Sequence, residues 1–282
     1  MAINYEKEYD NRGLVPEHPE IFARGDRDAE AYRAAARDAK PGLSYGPSPR
    51  QIIDLFPGKD AGADAPLVMF IHGGFWRMRS PKEYSHMAAG PNAHGVSVAV
   101  AGYDLCPQVT LATIIEEMRA ACLYLWREQR KRITVVGHSA GGHLAACMVA
   151  TDFRTLAPDA PPDLVPAGVA ISGVFDLDPM LKISVNDDLK LDAKQAHDCS
   201  PLTWKVPAGR MLDVVVGGAE SSEFLRQSRI IAEAWRQDMV DTRYEEVPGA
   251  NHFTVVEPLG DPGSRLTKRV VELARKVQAA KL

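Results

Sequence analysis

The sequence predicts a single α/β domain whose central sheet is mostly parallel and flanked by helices. From residue 67 onward, short β-branched apolar runs alternate with longer amphipathic stretches. Several of these runs are apolar on both faces, as expected of central strands covered by helices on both sides. The chain has 282 residues, of which 45% are hydrophobic, enough for one large core. Together these features indicate a doubly wound domain.

The predicted strands and helices follow one another along the chain. The β-branched runs that we assign to strands are residues 67–71, 96–101, 133–136, 168–171, 212–216 and 242–247. The amphipathic stretches that we assign to helices are residues 84–93, 110–130, 141–150, 223–238 and 263–279.

Composition narrows the classes of partner and location. Lys and Arg number 33 against 37 Asp and Glu, a formal charge of −4, which favours neither a nucleic acid nor an anionic membrane as partner. No stretch approaches the roughly 18 apolar residues that a membrane span needs, and the first residues form no apolar signal segment. The cysteines contain no C-x-x-C pair and are interpreted as reduced, buried thiols, which favours a cytoplasmic location. They are Cys106, Cys122, Cys147 and Cys199.

A G-x-S-x-G motif at residues 137–141 lies between a predicted strand and a predicted helix. This is the setting of the nucleophile elbow in the α/β-hydrolase fold, in which a strained turn presents the serine, here Ser139. Side chains at positions 137 and 141 would clash with the neighbouring strand and helix, which explains Gly137 and Gly141. A serine that merely caps the helix is the alternative.

An H-G-G sequence at residues 72–74 follows the first central strand. In many esterases and lipases this loop supplies backbone N–H donors to the tetrahedral oxyanion. We expect Gly73 and Gly74 to donate from the loop and Ala140 from the elbow, while His72 orients the loop by hydrogen bonding. A plain turn is the alternative reading of the glycine pair.

The serine requires a general base, and the fold places its histidine after the acid and after the last strands. Of 8 histidines, only His197 and His252 lie well beyond the elbow, and His252 is the one in a turn-rich loop that follows a strand. The acid should follow the strand at 212–216, where Glu220 is carried by a loop and Glu223 begins a helix. Glu220 is therefore the predicted acid, and Asp176 is the reserve.

Two segments interrupt the alternation of strands and helices. Residues 1–50 are polar and proline-rich, with one helical stretch near 29–39, and residues 174–205 form a long insertion. Long excursions in a compact domain are often lids or binding loops. We expect one domain over residues 1–282, with an N-terminal cap segment (1–50) and a lid-like insertion (174–205) over the active-site end of the sheet. The alternative is that both segments merely cover the surface of the domain and have no role at the active site.

The chain resembles the α/β-hydrolase kynurenine formamidases (arylformamidases) and related bacterial esterases over most of its length. The more specific shared elements are H-G-G-F-W at 72–76, S-G-V-F-D-L at 172–177 and E-F-x-R-Q-S at 223–228, with D-N-R at 10–12 near the start. The resemblance implies Ser139 as nucleophile and His252 as base. The family's acid, usually Asp, falls on Glu220, a departure that the fold accepts.

The resemblance implies an aryl formamidase of tryptophan catabolism, acting on N-formylkynurenine or a similar formyl arylamine without metal or cofactor. Phe75, Trp76 and Phe253 are expected to line the leaving-group side as an aromatic surface. A carboxylesterase for short-acyl aryl esters is the alternative, and a non-catalytic binding protein is the third interpretation. The expected partner is a small formyl amide or ester, and the oligomeric state is left open, a homodimer included.

Overall fold

The computed structural model describes residues 3–280, which contain a mostly parallel eight-stranded sheet. In chain order the strands are β1 (Lys40–Ser44), β2 (Ile52–Phe56), β3 (Leu67–Ile71), β4 (Ser97–Ala101), β5 (Ile133–His138), β6 (Ala167–Ile171), β7 (Met211–Gly217) and β8 (Asp241–Val247). Their spatial order is β1-β2-β4-β3-β5-β6-β7-β8. Only the β1–β2 and β2–β4 pairs are antiparallel. The predicted fold class is confirmed.

Helices cover both faces of this sheet. In chain order they are α1 (Tyr5–Tyr9), α2 (Asn11–Leu14), α3 (His18–Ala35), α4 (Ala89–Ala93), α5 (Leu111–Gln129), α6 (Ala140–Ala150), α7 (Asn186–Leu189), α8 (Ala193–Asp198), α9 (Ser222–Gln237) and α10 (Arg265–Ala279). Short 3-10 helices are Pro81–Ala88, Phe153–Thr155, Asp178–Lys182, Pro201–Thr203 and Glu257–Gly260. Within residues 3–280 no helix is both long and apolar enough to cross a membrane.

Successive side chains of the central strands enter two separate cores. In β3, Met69 belongs to one hydrophobic cluster and Phe70 to the other. The same alternation places Val135 and Val136 of β5 on opposite faces. Because both faces are buried, the strands carry continuous apolar runs, the pattern that made them recognisable in the sequence.

The two antiparallel strands at one end of the sheet were not predicted. Pro41 and Gly42 interrupt β1, which pairs only along one edge and shifts register between Lys40 and Leu43. Gly42 has φ +70° and donates its N–H to the buried Asp54 carboxylate at 2.7 Å. The predicted cap segment of residues 1–50 is therefore too long, because its last part is an edge strand of the sheet.

Two predicted helices have different bounds. The helix expected at 29–39 runs over His18–Ala35, and the one expected at 84–93 is a 3-10 helix, Pro81–Ala88, continued by α4. Pro91 lies within α4 and has no N–H to donate to the preceding turn, which disfavours one continuous α-helix.

Helix α9 anchors both the N-terminal segment (residues 3–35) and the insertion (residues 174–205). The buried Tyr9 hydroxyl donates to Glu223 at 3.1 Å and accepts from Gln227 at 3.0 Å. Gln227 also accepts from the backbone N–H groups of Phe175 and Asp176, at 2.8 and 2.9 Å. The E-F-x-R-Q-S sequence thus fixes two distant parts of the chain beside the same end of the sheet.

Candidate active site

Ser139 lies at a sharp turn between β5 and α6. Its backbone has φ 56° and ψ −120°, a region that non-glycine residues rarely adopt. A Cβ on Gly137 would lie 2.0 Å from the Gly141 carbonyl oxygen, and one on Gly141 would lie 2.0 Å from the Ile71 oxygen. Both glycines are therefore required by close backbone approach, the reason anticipated from the motif.

A chain of hydrogen bonds links Ser139 to two side chains from later loops. The Ser139 hydroxyl donates to His252 Nε2 at 3.0 Å, and His252 Nδ1 donates to Glu220 Oε2 at 2.6 Å. The His252 side chain is 5% exposed and that of Glu220 is 0% exposed, so water does not compete for this contact. Asp176, the reserve acid, instead pairs with Arg226 at 3.1 Å.

The Glu220 carboxylate has two further donors that sequence reasoning missed. Its Oε1 accepts from the Ser172 hydroxyl at 2.5 Å and from the Gly217 N–H at 2.7 Å. Ser172 follows β6 and has φ 49°, a strained backbone at a position that presents a side chain to the site. Its place at the start of S-G-V-F-D-L was the available signal.

His138, directly before Ser139, holds the loop that carries His252. Its Nε2–H donates to the His252 carbonyl oxygen at 2.7 Å, and the two rings are 4.9 Å apart. Burial lowers the pKa of His138 to about 3, so its ring stays neutral at physiological pH. Phe224 supports the other side of the His252 ring at 4.4 Å.

The H-G-G loop passes directly against Ser139. A Cβ on Gly73 would lie 3.0 Å from Ser139 Cβ, and Gly74 has φ +112°. Across residues 3–280, the N–H groups of Gly73, Gly74 and Ala140 donate to no protein acceptor. Of these three residues, Gly74 lines the cavity beside Ser139.

His72 stiffens this loop from behind. Its Nδ1–H donates to the Gly73 carbonyl at 2.7 Å, and its ring stacks on Tyr103 at 4.3 Å. Burial lowers its pKa to about 4, which keeps the ring neutral. The contact is of the loop-orienting kind expected for His72.

Of the three aromatic residues expected at the substrate, Phe75 and Phe253 line the cavity beside Ser139. The prediction for Trp76 is wrong. Its side chain is 0% exposed and packs edge-on against His143 at 5.0 Å, away from the cavity. Positive φ angles at Phe75 and Trp76 turn the chain so that the second ring enters the core.

The cavity above Ser139 has a volume of about 190 Å³. His138 and His252 line it together with Ser139. Its walls include side chains of the N-terminal segment and of the insertion, among them Tyr9, Asn11, Arg12, Phe22, Ile183 and Val185. Within residues 3–280 no group of three His, Cys, Asp or Glu side chains is arranged to hold a metal ion.

Comparison with known proteins agrees with this architecture. A family model described as the alpha/beta hydrolase fold matches residues 68–256, more than half of the chain. The chain belongs to the α/β-hydrolase fold family. Its match spans the strand before the H-G-G loop, the elbow at Ser139 and the loop of His252.

This α/β-hydrolase is similar to two curated kynurenine formamidases. It is 30% identical to that of Salmo salar over 245 residues, 83% of this chain and 81% of the relative. It is 31% identical to that of Drosophila melanogaster over 228 residues, 76% of this chain and 75% of the relative. The resemblance to this family is confirmed.

A solved structure from Silicibacter sp. TM1040, provisionally named a thioesterase, superposes with a TM-score of 0.85. The two chains are 32% identical, and the superposed region covers 95% of this α/β-hydrolase and 99% of the other chain. Family and relatives together show that the protein is an enzyme, a serine hydrolase.

Proposed function

We propose that this enzyme hydrolyses N-formyl arylamines, N-formylkynurenine foremost, to formate and the free arylamine. The observation that carries the proposal is the hydrogen-bonded chain Ser139–His252–Glu220 beneath the cavity, beside a loop whose N–H groups are free. The similarity to kynurenine formamidases supports the choice of substrate.

In the acylation step, Ser139 Oγ attacks the formyl carbon while His252 Nε2 takes its proton. The negative charge that develops on the formyl oxygen is stabilised by the N–H groups of Gly73, Gly74 and Ala140, each donor contributing on the order of 3 kcal/mol. Glu220 stabilises the imidazolium and fixes its tautomer.

The tetrahedral intermediate then breaks its C–N bond as His252 returns the proton to the departing nitrogen, releasing the arylamine. A water molecule, deprotonated by His252, attacks the formyl-serine ester. Collapse of the second intermediate releases formate and returns the proton to Ser139 Oγ. The aromatic ring of the leaving group is proposed to lie against Phe75 and Phe253.

The test compares kcat/KM for N-formylkynurenine and for p-nitrophenyl acetate, with Ser139→Ala as the blank. The proposal expects the formyl amide to react far faster than the chemically easier ester. If only the ester reacts, the formamidase assignment fails. If neither exceeds the blank, both substrate assignments fail, and either the substrate is a different one or the fold is used for binding.

A carboxylesterase for short-acyl aryl esters is the second candidate. The observation that favours it is the 32% identity over nearly the whole chain to a protein provisionally named a thioesterase. Amide and ester hydrolysis use the same nucleophile, base and oxyanion donors, so these groups do not discriminate between them.

We also infer a cytoplasmic location, because all four cysteines are free, buried thiols. The proposed partner is a small molecule. Ser139, His252 and Glu220 all come from one chain, so a homodimer is not needed to complete this constellation.

A further inference from the structure

The N-terminal segment brings charged and polar side chains to the cavity. Glu6, Asp10, Asn11 and Arg12 all line it with Ser139. They belong to helices α1 and α2 and to the turn between these helices. The mechanism above uses none of them.

Asn11 is the first sign of a ligand. The residue is only 6% exposed and lines the cavity, yet its side-chain amide has no hydrogen-bond partner within residues 3–280. Neither atom of the amide is fully enclosed by protein, so the amide is open to the cavity and can form hydrogen bonds there. A ligand in the cavity would supply the missing partner.

Arg12 is the second sign. Arg77 and Arg79 also line the cavity, but each is neutralised, by Asp188 at 2.6 Å and by Glu83 at 2.5 Å. Arg12 has no carboxylate within 4.0 Å among the residues described, and its guanidinium donates only to Met78 Sδ at 3.4 Å. A free guanidinium beside a free amide suits a carboxylate, which can accept from both.

The acidic neighbours complete a complementary pattern. The Glu6 carboxylate accepts from the N–H and hydroxyl of Ser184, and Asp10 Oδ1 accepts from the Gly13 N–H at 2.9 Å. Neither carboxylate is paired with a cation among residues 3–280. The cavity is therefore lined by one cation and two carboxylates that form no ion pair within residues 3–280, all on the same short segment.

We propose that this segment binds a zwitterionic α-amino-acid group carried by the arylamine. Asn11 and Arg12 bind its α-carboxylate, and Asp10 with Glu6 binds its α-ammonium group. The inference rests on the proposed function and assigns substrate specificity to the D-N-R sequence at 10–12, outside the segment that matches the family model.

The test measures binding by calorimetry in the Ser139→Ala background, where turnover cannot interfere. The three ligands are N-formyl-L-kynurenine, its analogue without the α-amino group, and N-(2-acetylphenyl)formamide, which lacks the whole amino-acid arm. The variants are Arg12→Gln, Asp10→Asn, which keeps the side-chain cap of α2, and Lys7→Gln as the matched control. Lys7 is an exposed cation on α1 that does not line the cavity.

Arg12→Gln is expected to raise the Kd of N-formyl-L-kynurenine about tenfold and that of N-(2-acetylphenyl)formamide less than about twofold, since only the first ligand loses a charge-assisted contact. Asp10→Asn should weaken N-formyl-L-kynurenine and leave the analogue without the amino group unaffected. Lys7→Gln should leave the Kd of all three ligands unchanged.

The proposal is overturned if Arg12→Gln weakens all ligands equally, weakens none, or acts no differently from Lys7→Gln. Because binding is read without turnover, this result is separate from the formamidase assay. A subsite that discriminates the ligands in an enzyme that does not cleave them would reject the proposed function and keep the subsite.

Discussion

Ser172 donates a hydrogen bond to Oε1 of Glu220, the carboxylate oxygen that His252 does not use. Both oxygens of the buried acid are therefore occupied, and its orientation toward the imidazole is fixed from two sides. Ser172 does not line the cavity, so we expect it to affect catalysis through Glu220.

Replacing Ser172 by Ala should lower kcat about tenfold with little change in KM, since a hydrogen bond to a charged group contributes about 1.5 kcal/mol. Steady-state kinetics on N-formylkynurenine and p-nitrophenyl acetate would measure it. Ser228→Ala is the matched control, because Ser228 is equally buried and its hydroxyl has no partner within residues 3–280. Equal effects of the two substitutions would contradict the role given to Ser172.

Glu220→Gln should lower kcat by about 10³-fold or more, because a neutral amide neither stabilises the imidazolium nor enforces its tautomer. Asp176→Asn should stay within about tenfold of wild type, since Asp176 pairs with Arg226 and does not contact His252. The reverse ranking of the two kcat values would make Asp176 the acid.

Gly73→Ala should abolish most activity, by about 10²-fold or more in kcat, because a methyl group there would meet His138 O at 2.9 Å and Ser139 Cβ at 3.0 Å. The loop would have to withdraw, taking its N–H donors with it. Gly62→Ala serves as control, because a Cβ at Gly62 meets nothing within 4 Å. Wild-type kcat in Gly73→Ala would refute the proposed oxyanion hole.

The free energy of unfolding should fall as the pH decreases from about 6.5 toward 4. Burial lowers the pKa of His72 and His143 to about 4 and that of His138 to about 3, whereas the same side chains titrate near 6.5 in an unfolded chain. Below about pH 6.5 these histidines bind protons in the unfolded state but stay neutral in the folded state. Each histidine therefore lowers the free energy of unfolding by roughly 3 kcal/mol between pH 6.5 and 4.

Urea unfolding at several pH values would measure this slope, and His143→Gln provides the comparison. Glutamine does not titrate, so the variant should lose about one proton, or 1.4 kcal/mol per pH unit, from the slope near pH 5. An unchanged slope would mean that His143 is protonated in the folded protein.

The sequence was sufficient for features that depend on local pattern. The six parallel strands followed from β-branched runs, several of them apolar on both faces. Ser139 followed from its strand–turn–helix motif, and Glu220 and His252 followed from their places on loops after later strands. The structure brings these three side chains together. Strand β1 was not predicted, because Pro41 and Gly42 disfavour a strand locally. Only its pairing with the neighbouring strand stabilises it.

The remaining omissions arise from tertiary geometry. The orientation of the Trp76 side chain depends on positive φ angles at two successive residues. Such angles are uncommon for residues other than glycine, so the sequence does not predict them. The choice of Glu220 over Asp176 depends on which loop lies against His252. His138 and Ser172 lie within motifs, but their hydrogen-bond partners are 114 and 48 residues away, too far for a motif to identify.

The anchoring of Tyr9 by Glu223 and Gln227 also has a consequence for biosynthesis. The hydroxyl and its acceptor are separated by 214 residues, so α1 leaves the ribosome long before α9 exists. At about 5–20 residues per second the wait is roughly 10 to 45 s. Throughout that interval α1 lacks the helix that anchors it, so the proposed subsite can form only after α9 has been synthesised.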